Sequence, residues 1–122
     1  MNHEYFVSLE VAKLLKEAGF DWEIKTFYFN NELVETMLGD AKNHNFSNQF
    51  ISAPTLEVAQ RWLREVKNID VFAYRNEPKD KFESIVSVNK KWSTTGMCIN
   101  TYEEALETAI KKVLKIILEK GE

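Results

Sequence analysis

The sequence predicts an α+β domain: a mainly antiparallel sheet of about four to five strands with three amphipathic helices, in the order α-β-(β)-α-β-β-β-α. Three observations predict it. Three segments carry apolar residues at helical spacing behind a cap residue. Between them lie runs rich in β-branched and aromatic residues, bounded by Asn, Pro and Asp. Several of those runs are joined by short turns rather than helices, which favours antiparallel pairing.

The first helix starts at Ser8, whose hydroxyl can accept from a free N–H of the first turn. Val11, Leu14, Leu15 and Ala18 then form one stripe. Gly19 stands where a left-handed residue ends a helix, and Phe20 is placed to fold back on Leu15. Trp22 to Phe29 reads as a strand, Asn30-Asn31 as a positive-φ turn, and Glu32 to Thr36 as a shorter return strand. Leu33, Val34, Met37 and Leu38 also suit a helical turn. Residues 39–53 lose periodicity and read as a long polar loop carrying Phe46 and Phe50. Loops of that length are usually functional or mobile.

Pro54 opens the second helix, with Thr55 as its cap or first-turn residue. Ala59, Trp62, Leu63 and Val66 are its stripe, and Glu57 and Arg61 are spaced to pair on the outer face. Ile69 to Tyr74 reads as a strand and Glu77-Pro78-Lys79-Asp80 as a turn. Phe82 to Val88 follows as a strand with Phe82, Ser84, Val86 and Val88 on one face, then Trp92 to Ile99, loosened by Thr94, Thr95 and Gly96. In the last helix Thr101 and Glu104 make a capping box, and Leu106, Ala109, Ile110, Val113 and Ile117 make the stripe. Glu103, Glu104 and Glu107 lie early and Lys111, Lys112, Lys115 and Lys120 late, as the helix dipole favours, and Gly121 is the expected stop. Leu-Glu-Val-Ala occurs at 9–12 and again at 56–59, each after Ser or Thr. Two helices using one inexpensive solution explain this more simply than a duplication.

At 122 residues the chain is the size of one domain, 1–122, and buries roughly two thirds of its unfolded surface without disulfide or metal. The net charge of −3 disfavours general nucleic-acid binding, and so does a last helix whose N-terminus is Glu-rich where a phosphate would sit. One cysteine, Cys98, excludes an intrachain disulfide and fits a reducing compartment; a buried core thiol is its expected state. Met1 to Phe6 does not read as a signal peptide, and no stretch approaches the ~20 apolar residues of a membrane span, so the expected location is cytoplasmic.

Chemistry-bearing patterns are sparse. Asp40 and His44 are four apart, but a polar loop accounts for them better than a metal. No Gly-x-Ser-x-Gly elbow and no phosphate-cradling loop occurs. Glu32, Glu35 and Asp40 border the polar loop, and a small hydrolase would have to use them. No cofactor is implied, and binding is favoured over catalysis. Aromatic residues are 12% of the chain, and Trp22, Phe27, Tyr28 and Phe29 crowd so closely that some must face away from the first helix. Such faces are either covered or form a ligand or subunit surface, and planar ligands stack on them. Arg61, Arg64, Arg75, Lys90 and Lys91 could supply charge for a phosphate. The candidate ligand-binding residues are Trp22, Tyr28, Phe46, Phe50 and Arg61.

The stretches Ser8 to Trp22, Ser52 to Glu65 (Ser-Ala-Pro-Thr-Leu-Glu-Val-Ala-Gln-Arg-Trp-Leu-Arg-Glu) and Thr101 to Glu107 resemble a family of small, uncharacterised proteins encoded by phages and prophages, notably of gut bacteria. The C-terminal two thirds is similar in layout to the phage ABA sandwich domain, a helix, antiparallel strands and a closing alanine-rich helix. The matching residues are caps and core positions, so they carry fold and no site residue. The resemblance implies a phage accessory protein; taken with the aromatics and the scattered Arg and Lys, the expectation is a homo-oligomer that acts by binding, with a nucleotide-like ligand such as a host defence signal. A module that inhibits or recruits a host protein is the alternative.

Overall fold

The computed structural model describes residues 5–35, 39–94 and 98–120, with Lys79 as backbone only. It holds the helices α1 (Leu9–Glu17), α2 (Leu56–Val66) and α3 (Tyr102–Glu119). The strands are β1 (Phe27–Phe29), β2 (Glu32–Val34), β3 (Phe50–Ser52), β4 (Asp70–Asn76), β5 (Lys81–Val88) and β6 (Lys91–Thr94). The α+β class is as the sequence predicts, and the order of elements follows the prediction except for the added strand β3.

The sheet is different. The strands form two three-stranded antiparallel sheets, β2-β1-β3 and β4-β5-β6, instead of one of four or five strands. The helices lie against both: α3 and α2 pack on the second sheet, while α1 packs on β3 and on α3. The reason is the width of the α3 face. Ala105, Leu106, Ala109, Ile110, Val113, Leu114 and Ile117 are all buried, an arc of about half the helix at 100° per residue. That surface serves a sheet and a helix at once. The shared core is built on Trp62, Phe20, Leu15, Leu63, Ile110 and Leu114.

Local signals explain the helix ends. The Ser8 Oγ accepts from Val11 N at 3.3 Å, Thr55 Oγ1 from Val58 N at 3.2 Å and Thr101 Oγ1 from Glu104 N at 3.1 Å. Thr55 is thus the cap of α2, and Pro54 precedes the helix rather than opening it. After α1, Gly19 takes φ +98° while Phe20 N donates to Leu15 O and Gly19 N to Lys16 O, the paired bonds of a Schellman stop. Asn30 and Asn31 both have positive φ and close the β1–β2 hairpin; Asn89 and Lys90 do the same for β5–β6. Across α1 and α3, Glu107 accepts from the Ser8 N–H at 2.6 Å and Lys111 pairs with Glu10 at 2.9 Å.

Several expectations are corrected. Trp22 to Thr26 alternates in burial like a strand, but among the described residues it forms an isolated bridge from Ile24 to Lys42 rather than a ladder, which starts at Phe27. The 39–53 segment contains a 3-10 turn at His44–Phe46 and the strand β3. Val66 is exposed at the end of α2. Arg61 lies toward Glu65, at 3.7 Å, rather than Glu57. Cys98 is exposed, its thiol donating to Glu83 at 3.5 Å, because the chain rejoins β5 only at Ile99. The last strand ends at Thr94; residues 95–97, Thr36 to Leu38 and the Gly121 stop lie outside the described residues. The Leu-Glu-Val-Ala repeat starts two capped helices but is followed by different strand orders, so it does not extend into topology. No helix among the described residues is long and apolar enough to cross a membrane.

Candidate functional site

Strand pairing decides which side chains share a face. In the first sheet Phe27 pairs with Val34 and Ser52, and Phe29 with Glu32 and Phe50, so Phe27, Phe29 and Phe50 lie together. Tyr28, Leu33 and Ile51 lie on the other side, and Tyr28 and Ile51 pack against the core. On the outer face Phe27 meets Phe50 edge-on at 5.1 Å, and Phe29 lies 5.3 Å from Phe50. His44 closes over Phe27 at 4.4 Å. The Phe27, Phe50 and His44 rings, with Phe46, Lys42 and Asp40, line a cleft of about 370 Å³.

The loop forming this cleft is held by side-chain hydrogen bonds. Asn45 is its hub: Nδ2 donates to Phe20 O at 2.9 Å, Oδ1 accepts from Ser52 N at 2.8 Å, and its own N–H donates to Asn43. The His44 N–H donates to Ser52 Oγ at 3.1 Å. The His44 Nε2 lies 2.9 Å from Ile24 O, and since a carbonyl only accepts, that nitrogen carries the proton. The Lys16 ammonium of α1 donates to both Ser47 O and Phe50 O at 2.8 Å. From this pinned frame Phe46 projects into water, 91% exposed.

Burial lowers the His44 pKa, helped by repulsion from Lys42, while the Ile24 and Lys25 carbonyls oppose it. The folded state therefore holds His44 neutral, and the unfolded chain takes up its proton near pH 6.5. The stability linked to this ring is complete above about pH 6.5 and is lost as pH falls through the lower folded value. The denaturant midpoint should fall between about pH 7 and pH 5.5 in the wild type. His44→Gln, whose amide can still donate to Ile24 O, should flatten that slope; an unchanged slope would assign the titration to another group.

The five residues singled out from sequence are not brought to one place. Phe46 and Phe50 line the cleft. Tyr28 turns inward, its hydroxyl donating to Val7 O at 2.8 Å, and burial raises its pKa. Trp22 packs on Phe20, with the Arg61 guanidinium 5.0 Å above its ring. Arg61 and Arg64 line a separate hollow of about 820 Å³ with Tyr5 and Tyr102. That hollow is larger, but Glu57 and Glu103 share its wall and offset the arginines. The cleft, floored by aromatic rings with few polar groups, has the character of a small-molecule site.

Sequence reasoning missed two features. His44 and Lys42 belong to the cleft wall. The outer face of the second sheet exposes Phe72, Tyr74 and Trp92. The signal for that face is in β4, where Val71 and Ala73 alternate with Phe72 and Tyr74, apolar in both phases. Among the described residues no group of three or more His, Cys, Asp or Glu converges as a metal site. Glu32, Glu35 and Asp40 are all exposed. Comparison with protein-family models, with curated proteins and with solved structures finds no match.

Proposed function

We propose that the protein acts by binding and that the cleft beside Phe46 takes a planar, nucleotide-like ligand. The observation that carries this reading is Phe46, an almost fully exposed phenylalanine on a loop whose polar groups are tied back to the fold. A phenylalanine on slack chain could turn onto nearby apolar surface. Here the frame holds it out, beside the Phe27–Phe50 wall. A planar ring stacked there gains contact at low ordering cost, because the site is already formed. The cleft volume falls within the ~300–1,000 Å³ typical of ligand sites. Lys42 and Asp40 both line it and offset each other, as Glu57 and Glu103 offset the arginines of the larger hollow, so the aromatic wall and not charge favours this cleft. The resemblance to phage-encoded proteins supports sequestration of a host signal as the role.

A thermal-shift screen of nucleobases, nucleosides and linear and cyclic nucleotides tests the reading. At least one should raise the melting temperature, and Phe46→Ala should abolish that rise. The ligand-free stability of the variant should stay within about 0.5 kcal/mol, as for an exposed side chain. No shift with any compound removes the reading. The second reading, a host-protein module, uses the same exposed Phe46 as an anchor for a partner's pocket. It predicts a partner retained by the wild type and lost by Phe46→Ala, with no small-molecule shift.

A further inference from the structure

We propose that the outer face of the β4-β5-β6 sheet is a self-association surface whose occupant is a second copy of this chain, related by a two-fold axis. The pairing register orders this face in four rows: Asp70–Ser87–Trp92, Phe72–Ile85–Thr94, Tyr74–Glu83 and Asn76–Lys81. α2 and α3 cover the opposite face, where Val71, Ser84 and Val86 are buried. On the outer face Trp92 is 60% exposed, with Phe72 and Tyr74 also in water. The Trp92 and Phe72 rings lie stacked on each other at 5.9 Å and 17°. Ser87, beside Trp92 in the first row, is buried.

The polar groups near the centre are already partnered. Glu83 accepts from the Tyr74 hydroxyl at 3.0 Å, from the Asn76 amide and from the Cys98 thiol. A dry partner therefore need not supply hydrogen bonds there. The remaining charges sit at opposite ends. Asp70, in the first row, makes no ion pair among the described residues; Lys81, in the fourth, donates to Asn100 and likewise makes none. They are three rows apart, about 20 Å at ~3.3 Å per residue.

A two-fold axis running just above the outer face, parallel to the sheet and across the strands, maps the first row onto the fourth. It sets Asp70 of each copy over the Lys81 end of the other, and the Phe72 row over the Tyr74 row. The same patch then completes itself twice, which is the condition for an isologous dimer. Exposed aromatic rings, with Glu83 already satisfied by its own donors and the two remaining charges at the ends, match the anatomy of such interfaces. This face belongs to the sheet that does not carry the cleft, so the proposal stands apart from the ligand reading.

Sedimentation equilibrium of the full chain tests it. The wild type should be dimeric in the micromolar range, and Trp92→Glu should be monomeric with an unchanged far-ultraviolet circular dichroism spectrum. Asp70→Lys and Lys81→Asp should each weaken the dimer at least tenfold, and the double swap should restore it. Phe46→Ala should leave it intact. A monomeric wild type, an assembly insensitive to Trp92→Glu, or a double swap weaker than either single variant would overturn the proposal.

Discussion

Trp62→Ala is expected to destabilise the protein by about 3–5 kcal/mol, a large share of the ~5–15 kcal/mol available to a domain. Trp62 is the largest fully buried side chain, and it meets Phe20 edge-on at 5.5 Å in the core shared by α1, α2 and α3. Truncation removes that ring and leaves a cavity that three packed helices cannot close. Its indole Nε1 is buried with no hydrogen-bond partner among the described residues, so part of the ring's contribution is already offset. Trp62→Phe keeps an aromatic ring and removes that donor, and should cost less than about 1.5 kcal/mol. Chemical denaturation of the two variants checks both values. A mild Trp62→Ala would mean that the core does not converge on this ring.

Asn45→Ala is expected to cost about 2–4 kcal/mol, lowering the melting temperature by about 10 °C, and to abolish ligand shifts at the cleft. The substitution strands two backbone groups, Phe20 O and Ser52 N–H, which no neighbouring side chain replaces. At about 1–3 kcal/mol per unpaired group, the sum exceeds what an average polar loop residue contributes. It also releases β3 from the turn that presents Phe46. The contrast with Phe46→Ala is the diagnostic: one variant should lose the fold's margin and the site together, the other the site alone. Melting curves of both, with and without a ligand found in the screen, separate the roles.

The helices were legible because their information is local. Ser8, Thr55 and Thr101 cap through their own side chains, and Gly19 ends α1 through its own φ. The Asn30-Asn31 hairpin was legible for the same reason. Strand partnership was not, because alternation shows that a segment is extended without saying what it pairs with. Trp22 to Thr26 has the alternation and one bridge. The division into two sheets depends on the width of the α3 face, which a five-residue stripe understates by omitting Ala105 and Leu114.

The cleft was half legible. Phe46 and Phe50 stand out as apolar residues in a polar stretch. The stretch itself looked formless because hydropathy does not register order made by Asn and Ser hydrogen-bonding to backbone. Asn45 and Ser52 fix this loop with no apolar period at all. Charge alone groups Arg61 with the aromatics; the structure sets it over Trp22, one of that group, but outside the cleft of Phe46 and Phe50.

Amide NMR of the full chain titrated with adenosine monophosphate addresses the central claim that a preformed aromatic cleft binds planar ligands. Shifts confined to residues 39–50 and β1, with the Asn45 and Ser52 amides already protected from exchange before ligand is added, are the expected result. Shifts confined to the Arg61–Arg64 hollow, or no shifts alongside rapidly exchanging Asn45 and Ser52 amides, would contradict it.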